Sequence, residues 1–344
     1  DGEDDMLQIE GMRPGRSMSA FIIVKTDTIK FNDHGWFASS RMDNGYLMHP
    51  WKNDYYYHNE VIDNSGDYSG INSFYIGDAS APHIYGFVYH QDDIHQTMTT
   101  HFDEDPYPQP GVNIGWRDPD ATIQVDMGHD FGYDNDRYGK GRIAEHVVFN
   151  RRLMRSHVRI LQNYFAVRYG IDFGPNALYN LPNQQEEIFG IGRTSEYDAH
   201  LDAQGRGIIR LQAVSGLESG AFLLLGNDTN STNWIDNTYP FSTGRMARTW
   251  GFMQTGNTGL VRLSMRVQDL PNETNLGVIV SESDEFNVNQ NVAFYPLILN
   301  GDSAFVELSL PARGVFTIGQ FPMLGVTSST IRTPRIYPNP AKDV

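Results

Sequence analysis

Only one stretch of this 344-residue chain repeats its apolar residues at helical spacing; the rest of the apolar content comes in short runs cut by turn residues. Leu153, His157, Ile160, Leu161, Tyr164, Phe165 and Arg168 recur every three or four positions, which predicts a helix over 151–169. Arg151, Arg152, Arg155, Arg159 and Arg168 fill its remaining face or edges, and Gly170 is placed as a left-handed cap. The residues before and after it read as short strands joined by loops and linkers. Ser19–Thr26, Trp36–Ser40, Tyr46–His49, Phe74–Gly77, Tyr85–Tyr89, Thr97–Thr100, Asn113–Trp116 and Thr122–Asp126 are strand candidates, and Gly141–Asn150 alternates cleanly. Asp43-Asn44-Gly45 carries an Asn-Gly hairpin signal, whereas Asp103 to Gly111, rich in proline and acids, reads as a loop.

Beyond the helix, 174–187 holds two prolines among polar residues and reads as a linker. Nine further runs follow: Ile188–Gly192, Gly207–Val214, Ala221–Gly226, Ala247–Gln254, Leu260–Val267, Leu276–Ser281, Val292–Leu299, Ala304–Leu310 and Val315–Phe321. Asn300-Gly301 joins two of them as a type I′ hairpin. The expected fold class is therefore all-β. One sandwich with one short helix spans 1–173, and a second β-sandwich spans 188–322. A Ser/Thr/Pro-rich connector at 323–335 leads to a last piece, 336–344.

Charge and cysteine narrow the setting. A formal net charge of -16 repels phosphate backbones and argues against nucleic-acid binding. It leaves many carboxylates for hard cations such as calcium. With no cysteine there is neither disulfide nor thiol chemistry. No apolar run is long enough to span a membrane as a helix, so membrane insertion is not expected. Asp1 reads as a processed or truncated start, with the native chain expected to extend upstream.

Three separated segments resemble one known arrangement. Asp1-Gly2-Glu3-Asp4-Asp5-Met6-Leu7, followed by Met18-Ser19-Ala20-Phe21-Ile22-Ile23-Val24-Lys25, resembles the opening of bacterial laminin-G-like jelly rolls. Gly141-Arg142-Ile143-Ala144-Glu145-His146-Val147-Val148-Phe149-Asn150-Arg151 resembles their closing strand. Tyr164-Phe165-Ala166-Val167-Arg168-Tyr169-Gly170-Ile171 resembles the helix after it. The resemblance implies a laminin-G/concanavalin-like jelly roll over 1–173. Phe189-Gly190-Ile191-Gly192-Arg193 and Arg248-Thr249-Trp250 are similar to a β-rich domain of no assigned activity that follows this jelly roll in Bacteroidota surface proteins. Tyr337-Pro338-Asn339-Pro340 looks like the start of a type IX secretion sorting domain. It implies the type IX machinery as a partner and an extracellular or outer-membrane-surface location.

The chemistry points to binding. Trp36, Trp51, Tyr55, Tyr56, Tyr57 and Trp116 are dense for loops and could stack on pyranose faces or pack in a core. Trp51, Tyr55, Tyr56, Tyr57 and Trp116 are the candidate ligand contacts. Asp134 and Asp136, and the Asp103–Asp105 group with its carboxylates Asp103 and Asp105, read as calcium ligands or as solvated acidic loops. Asp134-x-Asp136-x-x-Gly139 with Glu145 approaches a calcium-loop spacing, but the next segment reads as strand and Glu145 as structural. His90, His95 and His101 lack a zinc spacing. The Glu-x-Asp-x-x-Glu pattern of jelly-roll glycoside hydrolases is missing from 1–173, and Glu282, Asp284 and Glu285 only approach it. A secreted surface protein that binds a glycan or another surface ligand, without catalysis of its own, is the expectation. The alternatives are an accessory part of a larger glycan-degrading enzyme, or a spacer.

Overall fold

The structure, a computed structural model, describes residues 7–26, 38–40, 44–50, 56–75, 80–103, 109–110, 115–128, 141–228, 231–236, 244–271, 275–283 and 292–320. Among the described residues its first unit has eleven strands: β1 (Leu7–Met12), β2 (Ser17–Thr26), β3 (Ala38–Ser39), β4 (Tyr46–Pro50), β5 (Tyr56–Ile62), β6 (Tyr68–Tyr75), β7 (His83–Gln91), β8 (Gln96–Phe102), β9 (Gln109–Pro110), β10 (Ile123–Met127) and β11 (Gly141–Phe149). They form two antiparallel sheets, ordered β1-β10-β3-β4-β5-β6 and β11-β2-β7-β8-β9. In each sheet an opening strand lies beside a closing one.

The apolar run of β2 has a physical cause. Met18, Ala20, Ile22 and Val24 point into the core between the sheets, with Tyr46, Tyr57, Phe87 and Tyr89. The alternate residues Phe21 and Ile23 point the other way, joining Ile84, Val88, Leu153 and Phe165. A strand buried on both faces needs no polar alternation.

The covering element is helix α1 (Arg155–Tyr169). Gly170 ends it at φ +66°, the left-handed conformation glycine adopts without penalty. Sequence periodicity suggested one apolar face, packed on the jelly roll through Leu153, Ile160, Leu161, Tyr164 and Phe165. The helix instead packs on two sides. Val158, Phe165 and Ala166, with Leu161 and Tyr164 at the margin, meet the first unit. Ile160, Tyr164 and Val167 meet Leu178, Tyr179, Leu181, Ile188, Phe222 and Leu224. Residues 174–187, expected as a linker, thus contribute a packed strap, with Leu181 fully buried.

The second unit contains β12 (Glu186–Ser195), β13 (Asp198–His200), β14 (Asp202–Gln204), β15 (Arg210–Ser215), β16 (Phe222–Asn227), β17 (Trp234–Asp236), β18 (Gly244–Met246), β19 (Trp250–Thr255), β20 (Leu260–Arg266), β21 (Leu276–Ser281), β22 (Val292–Pro296), β23 (Ile298–Asn300), β24 (Ser303–Leu308) and β25 (Arg313–Gln320). One sheet runs β13-β12-β16-β19-β25-β18-β17, with β21 on the other edge of β25 and β22 beyond it. The other runs β14-β15-β20-β24-β23. Trp250, Phe252 and Phe316 of the first sheet meet Leu211, Leu263 and Val306 of the second in one core. The molecule is all-β, a concanavalin-like jelly-roll sandwich with one helix followed by a second β-sandwich.

Three local expectations change. Tyr56–Ile62 is strand β5 rather than a loop: its core face is Tyr57, Asn59 and Val61, its other face His58 and Glu60, so polar residues on both faces hid the alternation. Gly115 and Trp116, expected in a strand, are irregular. The β23–β24 hairpin pairs Asn300 with Ser303 around Gly301-Asp302, and of these only Gly301 has a positive φ, so the turn is not type I′.

Candidate functional site

Four connections meet at one end of the jelly roll: the turn before β4, the turn after β5, the β7–β8 hairpin tip and the irregular segment 115–118. Their arrangement follows from a few polar side chains. Asp63 accepts from Ser65 N (2.9 Å), Ser65 Oγ (2.8 Å) and Asp67 N (3.0 Å), which folds 63–67 into a tight turn. Burial pushes the Asp63 carboxyl up, but the Ser65 hydroxyl and the amides of Ser65, Asp67 and Gly66 outweigh it and hold it below its usual value. Asn64 N donates to Trp116 O at 2.8 Å, tying that turn to the 115–118 segment. Gly115 lies so close that a Cβ there would meet Asp63 Oδ2 at 2.5 Å.

The other side of the segment is clamped by β7. Arg117 N donates to Gln91 Oε1 (2.9 Å), Gln91 Nε2 returns a bond to Arg117 O (3.0 Å), and Tyr89 OH reaches Gly115 O (3.0 Å). The Arg117 side chain turns inward, 2% exposed, over the Tyr89 ring at 5.5 Å, and donates to Asn44 O. Burial, opposed by Tyr89 and Tyr46, brings its pKa down to about 10. Asn44, at φ +69°, accepts Asp118 N through its side chain at 2.5 Å.

Between these clamps Trp116 is 40% exposed. Ile94, 75% exposed, stands at the hairpin tip of the same end, where Asp92 caps the amides of Ile94 and His95 and Arg16 pairs with Asp93 at 2.7 Å. Asn64, Ser65, Asp67, Asp92 and Asp93 are exposed. The arrangement offers a flat indole on a fixed backbone, rimmed by groups that accept hydroxyl protons. Such a site can stack and orient a sugar or peptide ring, with His95 Nδ1 3.6 Å from Asp92 Oδ1 at its edge.

The remaining sequence candidates fall elsewhere. Tyr57 is corrected: it is fully buried, stacked on Tyr85 at 3.8 Å, and belongs to the core. Tyr56 begins β5 opposite Tyr75. Trp51 and Tyr55 lie outside the described residues, as do Asp105, Asp134, Asp136 and the segment Tyr337, Pro338, Asn339, Pro340. Asp103 sits at the far end of β8 from Trp116, and its carboxylate serves the fold, lying 2.7 Å from both His83 Nδ1 and Ile84 N. His90 meets Ser17 Oγ at 2.8 Å and His101 is buried beside Phe21, so the three spaced histidines do not converge. Among the described residues no group of three His, Cys, Asp or Glu is arranged to hold a metal. Glu145 is structural: it takes the hydroxyls of Tyr169 (2.6 Å) and Tyr164 (3.2 Å) from α1. Sequence reading missed Arg117, Gln91 and the Asp63 turn; only the Asp-Asn-Ser-Gly-Asp run at 63–67 carried a turn signal.

The first unit is a concanavalin-like jelly roll. Among solved structures, this chain is similar to an SAP-like pentraxin from Limulus polyphemus at 15% identity, over 44% of this chain and 73% of that one, with a TM-score of 0.35. It is also similar to the CBM40 module of a Ruminococcus gnavus sialidase bound to α2,3-sialyllactose, at 12% identity over 43% and 92%, TM-score 0.30. Over 90% of this chain, the binding domain of botulinum neurotoxin serotype D aligns at 10% identity, covering 86% of that domain at a TM-score of 0.38. A family model described as a domain of unknown function (DUF8202) matches residues 211–311, inside the second sandwich. No curated protein matches the chain. No helix among the described residues is long and apolar enough to cross a membrane.

Proposed function

We propose that this chain is a binding module that engages a glycan or another surface ligand at the Trp116 end of its jelly roll and carries out no catalysis of its own. The single observation behind this reading is the exposed indole of Trp116 on a segment fixed from both sides by Gln91, Arg117 and the 63–67 turn. A rigid, partly exposed aromatic loses little freedom on binding, which is the property of a ligand contact rather than of a core residue. The alternatives, an accessory part of a larger glycan-degrading enzyme and a spacer, differ in whether this end binds at all.

Glycan-array binding of the intact protein, compared with Trp116→Ala, tests it. A bound glycan whose affinity falls about tenfold or more in the variant is the expected result. Equal binding by both proteins, or none by either, refutes the Trp116 site. The wider reading includes secretion by the type IX pathway through the segment beginning at Tyr337, a surface location in a Bacteroidota cell, and calcium held by Asp134, Asp136 or Asp105. Thermal melts with calcium and with chelator test the last part: calcium raises the midpoint if it binds the folded state.

A further inference from the structure

The joint between the sandwiches runs along α1, from its capped N-terminus through Ile160, Tyr164 and Val167, and it is unusual in its capping. Met154 supplies no side-chain cap and the first turn holds no acid. The cap comes from β13 of the second unit instead: Asp198 accepts from Arg155 N (2.9 Å), Ser156 N (3.1 Å) and Ser156 Oγ (2.6 Å). Within the first turn of the helix, the His157 ring lies tilted against that of His200 on the same strand, with centroids 4.7 Å apart. His157 Nδ1 is buried and has no hydrogen-bond partner. Protonating that atom would create a buried N–H with no acceptor and set one cation against a second histidine.

We propose that this joint is an acid-released latch, in which protonation of His157 and His200 frees α1 from the second sandwich while both sandwiches stay folded. Every charged group facing the pair enters the balance. Burial first, then His200 and Arg151, lower His157 to about 4 against the opposing Asp198. Burial and Arg151 also lower His200, against Asp202, but Asp202 is already paired with Arg210. A histidine held below its free value of about 6.5 stabilises the closed joint above that pH and ceases to do so as pH falls toward the depressed value. Each pH unit below about 6.5 favours the open form by up to about tenfold per histidine. The Asp198 cap does not compensate. Burial raises that carboxyl, but the Ser156 and Thr194 side chains and the amides of Ser156 and Arg155 hold it below its usual value.

Small-angle scattering of the intact protein from pH 7.5 to pH 4.5, with far-UV circular dichroism alongside, reads the joint directly. The expected result is a rise in the radius of gyration while the dichroism is unchanged. The doubly substituted His157→Gln, His200→Gln protein is expected to stay compact where the wild type opens. In the wild-type chain, the Cε1–H resonances of both histidines should titrate together with the scattering midpoint, a readout that stands even if the variant misfolds. A wild type that stays compact to pH 4.5 overturns the proposal. So does a variant that opens at the same pH, expansion that appears only with loss of dichroism, or histidines that titrate independently near their free value.

Discussion

Arg117 and Trp116 show how adjacent residues divide structure from function. The guanidinium is buried, donates to the Asn44 carbonyl and lies over the Tyr89 ring, and among the described residues it has no carboxylate partner. Truncation removes both and strands the Asn44 carbonyl, so Arg117→Ala should destabilise the protein by roughly 3 kcal/mol, read as a lowered denaturation midpoint. Trp116→Ala should cost less, about 1 kcal/mol, because the residue is 40% exposed and belongs to none of the buried core clusters among the described residues. Equal losses in the two variants would contradict this division. Trp116 was singled out in the sequence as an exposed-aromatic candidate, but at the end of an expected strand that is irregular in the structure. Its neighbour was not, because nothing in a lone arginine tells whether it points into a core or into water. Tyr57 erred in the opposite direction: three consecutive tyrosines suggest exposure, yet strand alternation placed this one on the inner face.

At the scale of elements, α1 was the clearest feature of the sequence, and its cap at Gly170 followed with it. Its second buried face was hidden. Ser156, Gln162 and Asn163 are buried polar residues that blunt the apolar stripe, and each has a partner that only the tertiary fold supplies. Ser156 bonds Asp198, Gln162 Nε2 donates to Asp103 O at 2.5 Å, and Asn163 Oδ1 accepts Leu178 N at 2.7 Å. Asp198→Ala should therefore cost about 1–2 kcal/mol, the usual loss when a helix cap is removed. Hydrogen exchange should show the loss concentrated in the first turn of α1, and uniform loosening of both sandwiches would count against a capping role. The strands followed a similar rule. All nine long runs of the second half contain strand, and β16 is buried on both faces, with Leu223 and Leu225 in the sandwich core and Phe222 and Leu224 against α1. β1 and β5 escaped because β1 is exposed along its length and β5 is polar on both faces. Val292–Leu299 broke at Leu297, where the chain leaves one sheet for the other.

Across the whole molecule, the division into two sandwiches was readable, but the boundary was not, because no cut through 151–187 leaves both cores covered. A fragment ending at 173 keeps the helix on the first unit and bares Ile160, Tyr164 and Val167, which the second unit covers in the intact chain. That fragment should bind a hydrophobic dye and self-associate where the intact protein does not; a monomeric, dye-silent fragment would show the second contact to be dispensable. Histidine chemistry also acts at this scale. Burial, with Arg155 nearby, lowers His101 to about 4, and burial alone does the same for His146. Overall stability should therefore decline as pH falls from about 6.5 toward 4, by up to about 3 kcal/mol for the fully enclosed His101, in denaturant titrations at stepped pH. Joining two sandwiches through a single helix has one more result. Each residue of a helix turns the chain by about 100° and advances it by about 1.5 Å. Loops elsewhere can lengthen or shorten freely, but one residue gained or lost within α1 would aim its two apolar faces at different neighbours. The length of that helix is thus a phase setting, fixing the direction in which the Trp116 end faces relative to whatever the second sandwich is attached to.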